Sequence, residues 1–197
     1  GGGTVIDTRA VELSASKAAA VSVIEAWLDK KDNYYEAEKS ALTDLAIAGT
    51  LKINSAKTSD EVEKLLKELT EEYGAIKIRT QVDKEKLEKV KSETSKMKIK
   101  LSSKRTSKGR VKITVKADIR NITAEGFSVK YRIYRSTKKN SGYKLIKATS
   151  SKTFTDSKKT KKGAKYYYKA RAAVYSKGKA VCSTELKQAG YTLYKVK

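Results

Sequence analysis

The 197-residue chain predicts two domains of different class, an N-terminal three-helix bundle followed by an antiparallel β-sandwich. Three observations carry that expectation. Apolar residues recur at three- and four-residue spacing up to about residue 91, then at every second residue from Met97 onward, the periods of a helix and of a half-buried strand. The charge changes at the same place: residues 1–91 hold 15 Lys+Arg against 17 Asp+Glu, and residues 92–197 hold 30 against 5. Short alternating runs in the second half are separated by turn residues throughout, as a sandwich requires. The domains read as a flexible tail over 1–13, a helical bundle over 14–92 and a sandwich over 93–197.

The first helix is expected over Ser14–Lys30, with Ala18, Val21, Ile24, Trp27 and Leu28 on its inner face. Asp32-Asn33 makes the turn, and Asn33 is a candidate cap for the next helix. That helix runs from about Tyr34 to Ala56, with Ala37, Leu42, Leu45, Ala48 and Leu51 facing inward and Gly49 costing roughly 1 kcal/mol relative to Ala. Thr58-Ser59-Asp60-Glu61 fits a capping box, in which the Thr58 oxygen accepts from the backbone and Glu61 reaches back. Val62, Leu65, Leu66, Leu69, Tyr73 and Ile76 then fall on one face of a third helix. A charged stretch over 83–91 is expected to extend as a connector.

The run from Tyr34 through Thr80 resembles the helical modules of secreted Gram-positive surface proteins. It carries Ile53, Ala56, Thr58, Glu61 and Val62 in their I-x-x-A-x-T-x-x-E-V pattern, then Ala75-Ile76-Lys77. The likeness implies a spacer or binding unit, not a particular ligand.

In the second half VKITVKA (Val111–Ala117) alternates apolar and basic residues. So does FSVKYRIYRST, with Val129, Tyr131, Ile133 and Arg135 on one face. Lys138–Gly142 makes a turn into YKLIKATS, and KTFTD is a short strand. Ala164–Ser176 is the longest strand, and Lys177–Lys179 turns into AVCSTEL. The stretch GAKYYYKARA resembles the penultimate strand of fibronectin type III domains, with Gly163 at the family glycine, Tyr166 at the corner tyrosine, and Tyr168, Ala170 and Ala172 at the inward positions. That resemblance implies a fibronectin type III/Ig-like sandwich in which Gly163 and Tyr166 are structural and the Tyr166 hydroxyl donates to backbone. The chain departs from the family in lacking a Trp in this half and a Pro before Gly163.

Composition excludes much chemistry. There is no His, no Pro and one Cys, Cys182. The usual catalytic triads, imidazole switches, His-containing zinc sites and internal disulfides therefore cannot be built. Gly178-Lys179 is followed by Ala180, so no phosphate-binding P-loop forms. Glu93, Asp118, Glu125, Asp156 and Glu185 are scattered along the basic half and suggest no acid/base pair. No catalytic residue, cofactor site or metal site is expected, and no segment is apolar enough to span a membrane.

What remains is positive charge. Lys104, Arg105, Lys108 and Arg110 cluster before one strand, and Lys158, Lys159, Lys161 and Lys162 cluster before Gly163. Such a field attracts polyanions, although strand lysines also serve to solubilise and to block edge pairing. The expected function is a non-enzymatic extracellular surface module for adhesion, display or association with the cell wall or a glycan, its export signal already removed. Its expected partners are an anionic cell-wall polymer or glycan, or a host or surface protein. Two alternatives stand beside it: a polyanion- or nucleic-acid-binding protein acting through the basic half, and a carbohydrate-binding accessory domain of a larger hydrolase. Nucleic acid is disfavoured, because no nucleic-acid-reading motif is present and the cations lie on many faces.

Overall fold

A computed structural model describes residues 7–186 and 191–195, without the side chains of 191–193. The chain divides into two compact units, 1–85 and 86–197.

In the first unit three long helices, α1 (Thr8–Leu28), α2 (Glu36–Ser55) and α3 (Ser59–Ala75), pack pairwise. Helix α1 begins six residues before the expected Ser14, because the Asp7 side chain accepts from Arg9 N at 3.0 Å and caps it; residues 8–13 are helix, not tail. Its buried face is Ala20, Ile24 and Trp27, and the Trp27 ring stacks on Tyr73 of α3 with centroids 4.6 Å apart. A 3-10 turn (Lys31–Asn33) leads into α2, whose cap position is Tyr35, with no side-chain acceptor, so the expected cap at Asn33 does not form.

The inner face of α2 also differs from expectation. It is Leu42, Ala46, Gly49 and Ile53, while Ala37, Ala48 and Leu51 are exposed, Leu51 by 65%. Gly49 explains the rotation. A Cβ there would stand 3.1 Å from both terminal methyls of Leu69 and 3.5 Å from Ile24, so the bare backbone of α2 is what lets α1 and α3 approach. Helix α3 buries Val62 and Leu69 and starts on Thr58, whose Oγ1 accepts from Glu61 N at 3.1 Å. Glu61 reaches back to the Lys57 amide, one residue before the cap.

The expectation of three helices is too few: among the described residues there are five α-helices. Helix α4 (Arg79–Lys96) replaces the expected short connector, and the division between units falls within it. In the first unit Arg79 donates from Nε to Tyr34 O and from Nη2 to Asp32 O, tying the start of α4 to the turn before α2. Helix α5 (Arg120–Ala124) is a single short turn anchored by Ile122, which is 1% exposed.

The second unit is built from antiparallel strands in two sheets. One has the order β1 (Lys100–Arg105), β2 (Val111–Lys116), β5 (Thr153–Thr155). The other has the order β4 (Lys144–Thr149), β3 (Ser128–Ser136), β6 (Lys165–Ser176), β7 (Lys179–Ser183), and β8 (Tyr191–Lys195) pairs with the first part of β6. Alternation sorts the residues: Val129, Tyr131 and Ile133 of β3 and Tyr166, Tyr168, Ala170, Ala172 and Val174 of β6 meet Val111, Ile113 and Val115 of β2 in one core. Val90 of α4 belongs to that core as well. Each fully buried Ile or Val contributes roughly 1.5–3 kcal/mol. Among the described residues no helix is long and apolar enough to cross a membrane.

Candidate polyanion-binding site

The two basic clusters lie 51 residues apart along the chain at their point of contact, and the fold joins them. Strands β1 and β2 form a hairpin closed by Thr106, whose amide donates to Arg110 O at 2.7 Å and whose Oγ1 accepts from Arg110 N at 3.2 Å. This turn presents Lys104, Arg105, Lys108 and Arg110. The loop after β5 crosses beside it. Asp156 N donates to Val111 O at 2.8 Å, and Thr160 donates from both its amide (3.1 Å) and its Oγ1 (2.8 Å) to Gly109 O. Thr160 sits between Lys159 and Lys161, so these bonds fix the second cluster against the first. The loop turns back through Gly163, at φ +80, a left-handed conformation that a side chain would strain, with Ala164 N donating to Lys161 O at 3.0 Å.

All of the lysines in this group and Arg105 are exposed, while Arg110 is half-buried with its Nε covered and without a hydrogen-bond partner. None of the eight side chains forms an ion pair among the described residues. The turn between β3 and β4 adds Lys138 and Lys139 to the same end, because Ser136 at the end of β3 pairs with Tyr167 at the start of β6. Sequence reasoning placed those two lysines only in a turn; the β3–β6 register is what assigns them to this end.

One acidic residue lies beneath the loop, and it is spoken for. Asp156 is 2% exposed and accepts Arg135 Nη1 on both oxygens at 2.7 Å, the Tyr168 hydroxyl at 2.8 Å and its own loop's Lys158 N at 3.0 Å. Burial, then the hydrogen bond to Asp156, pushes the Tyr168 hydroxyl well above the usual tyrosine range. The fibronectin resemblance implies a bond from the Tyr166 hydroxyl to backbone; the tyrosine hydroxyl bond of β6 that the structure shows is that of Tyr168, to the Asp156 carboxylate. Tyr166 itself is 4% exposed, with Lys158 Nζ 5.6 Å from its ring centroid.

The energetics favour a polymer over a small ion. A cation about 7 Å from an anion in water-like surroundings contributes on the order of 0.5 kcal/mol before salt screening. Even eight such terms sum to at most about 4 kcal/mol, so one anion is held no more tightly than millimolar. A chain of anions would engage such an end repeatedly and gain by effective concentration.

No family model matches the chain, and no curated protein matches it. Among solved structures it is similar to an Fn3-like protein from Clostridium thermocellum, at 25% identity over 45% of this chain and 83% of that one, with a TM-score of 0.33. It is also similar to a human fibronectin type III domain, at 15% identity over 57% of this chain and 80% of that one, with a TM-score of 0.38. The two-sheet assignment above comes from strand order and register.

Proposed function

We propose that the chain is a non-catalytic, extracellular surface module whose C-terminal unit associates with an anionic polymer of the cell wall or an anionic glycan through its basic end. The observation that carries this reading is the pair of Thr160 bonds to Gly109, which make one patch out of two clusters separated in sequence. Two further points support it. Asp156 is the sole acidic residue between positions 126 and 184, and it is already neutralised by Arg135, so the patch has no internal counter-charge. The resemblance of the N-terminal half to surface-protein modules supports a location outside the cell.

The test is cosedimentation with purified Gram-positive cell walls before and after chemical removal of their phosphate-bearing polymer. Binding to intact walls that is lost from stripped walls, and lost again when Lys158, Lys159, Lys161 and Lys162 are all replaced by Gln, agrees with the proposal. Equal binding to intact and stripped walls overturns it.

A further inference from the structure

A second arrangement of cations occupies the outer face of the four-strand path β4-β3-β6-β7, away from the core. Lys130, Arg132 and Tyr134 of β3 and Lys169, Arg171 and Tyr175 of β6 alternate with the core residues and therefore face outward. Arg132 and Arg171 are direct cross-strand partners. Like charges placed opposite one another weaken a sheet unless something neutralises them. No carboxylate pairs with either arginine among the described residues. The Nε of each is covered and without a hydrogen-bond partner, an unusual condition for a charged donor. The surroundings hold the pair in place: the Arg171 guanidinium lies over the Tyr134 ring at 5.6 Å, and Tyr134 is 9% exposed. Lys169 Nζ lies 4.8 Å from the Tyr143 centroid and Lys130 Nζ 5.1 Å from that of Tyr175, adding positive charge around the two arginines.

We propose that Arg132 and Arg171 form a clamp for a single oxyanion with at least two acceptor oxygens, a sulfate, phosphate or carboxylate, either free or borne on a sugar. Planar guanidinium groups match such anions through paired N–H donors, and an anion held between them removes the repulsion that the register creates. The site is separate from the basic end. Arg132 lies four residues before Ser136, about 13 Å of backbone along the strand. The inference does not rest on the proposed association with a wall polymer.

The experiment follows the arginine Nε–Hε NMR signals of the full chain during titration with sodium sulfate, sodium glucuronate and a sulfated disaccharide, each against sodium chloride at equal ionic strength. Saturable shifts of the Arg132 and Arg171 signals are expected, at least tenfold weaker in affinity in Arg132→Gln and Arg171→Gln. The same shifts should persist when Lys158, Lys159, Lys161 and Lys162 are replaced by Gln. Response to sulfate alone supports the clamp with a free ion as ligand, and response to the disaccharide or glucuronate supports a sugar-borne anion. A thermal-unfolding arm keeps the test open should a variant fold poorly: sulfate should raise the Tm of the wild type more than that of either variant. Signals that follow chloride and the other anions alike, or a sulfate increment in Tm equal in all three proteins, overturn the proposal.

Discussion

Replacing Asp156 with Ala tests whether the basic loop is held from below. The carboxylate is 2% exposed and organises Arg135, the Tyr168 hydroxyl and the Lys158 amide. Removing it strands a guanidinium and a buried hydroxyl. Breaking a fully buried ion pair costs roughly 3–5 kcal/mol. The Arg135 side chain is 24% exposed, so water re-solvates part of it and the lower end applies, about 3 kcal/mol. Asp156→Asn keeps an acceptor for one partner and should cost less, about 2 kcal/mol, while Tyr168→Phe loses one charge-assisted bond, about 1.5 kcal/mol. For a unit of this size, 3 kcal/mol corresponds to a fall in Tm of roughly 12–20 °C. Hydrogen exchange at the β3 and β6 amides, read with urea unfolding, measures the loss in the second unit. A loss below about 1 kcal/mol in Asp156→Ala would refute the anchoring role.

Alkaline titration gives a second test through Tyr168. Its folded-state pKa is raised by burial, then by the bond to Asp156, so the proton stays on in the folded protein after the unfolded chain has lost it. Stability from this group is therefore present below about pH 10 and lost as pH rises beyond it, by up to about 1.4 kcal/mol per pH unit, and Tyr168→Phe should flatten that limb in pH-dependent urea unfolding. Tyr34 in the first unit, pushed up to about 12 by burial and then by the neighbouring Tyr73 hydroxyl, should add a loss of the same sign, removed in Tyr34→Phe. Gly49→Ala sets a helix-propensity gain of about 1 kcal/mol against a contact at 3.1 Å with Leu69; overpacking should win by about 1 kcal/mol in chemical denaturation followed by Trp27 fluorescence. Thr58→Ala should cost about 1 kcal/mol by the same readout, and Thr58→Ser very little.

Local signals were legible from the residues alone. The Thr58 cap depends on four consecutive residues, and strand alternation in β2, β3 and β6 depends on nearest neighbours. Face assignment in α2 was not, because Leu51 fits the apolar period while the packing contact is set by Gly49, which has no side chain to count. Each basic cluster was visible as a run, but their union depends on a backbone carbonyl at Gly109 and a hydroxyl at Thr160, neither of which marks itself in a sequence. Asp156 looked like one scattered carboxylate since its partner Arg135 lies 21 residues away. The Arg132–Arg171 pair follows from cross-strand register, which alternation leaves open to any shift of two residues.

The most direct measurement is the salt dependence of binding to a phosphate polymer of defined length by wild type and by two variants. One replaces Lys104, Arg105, Lys108 and Arg110 with Gln, and the other replaces Lys158, Lys159, Lys161 and Lys162. If the clusters act as one patch, neutralising either should weaken binding and flatten the slope of log affinity against log salt by up to roughly one unit per cation removed. Removal of both should leave a slope close to that of nonspecific contact. A wild-type slope retained in full by either variant would contradict a single basic end assembled by the Thr160–Gly109 contact.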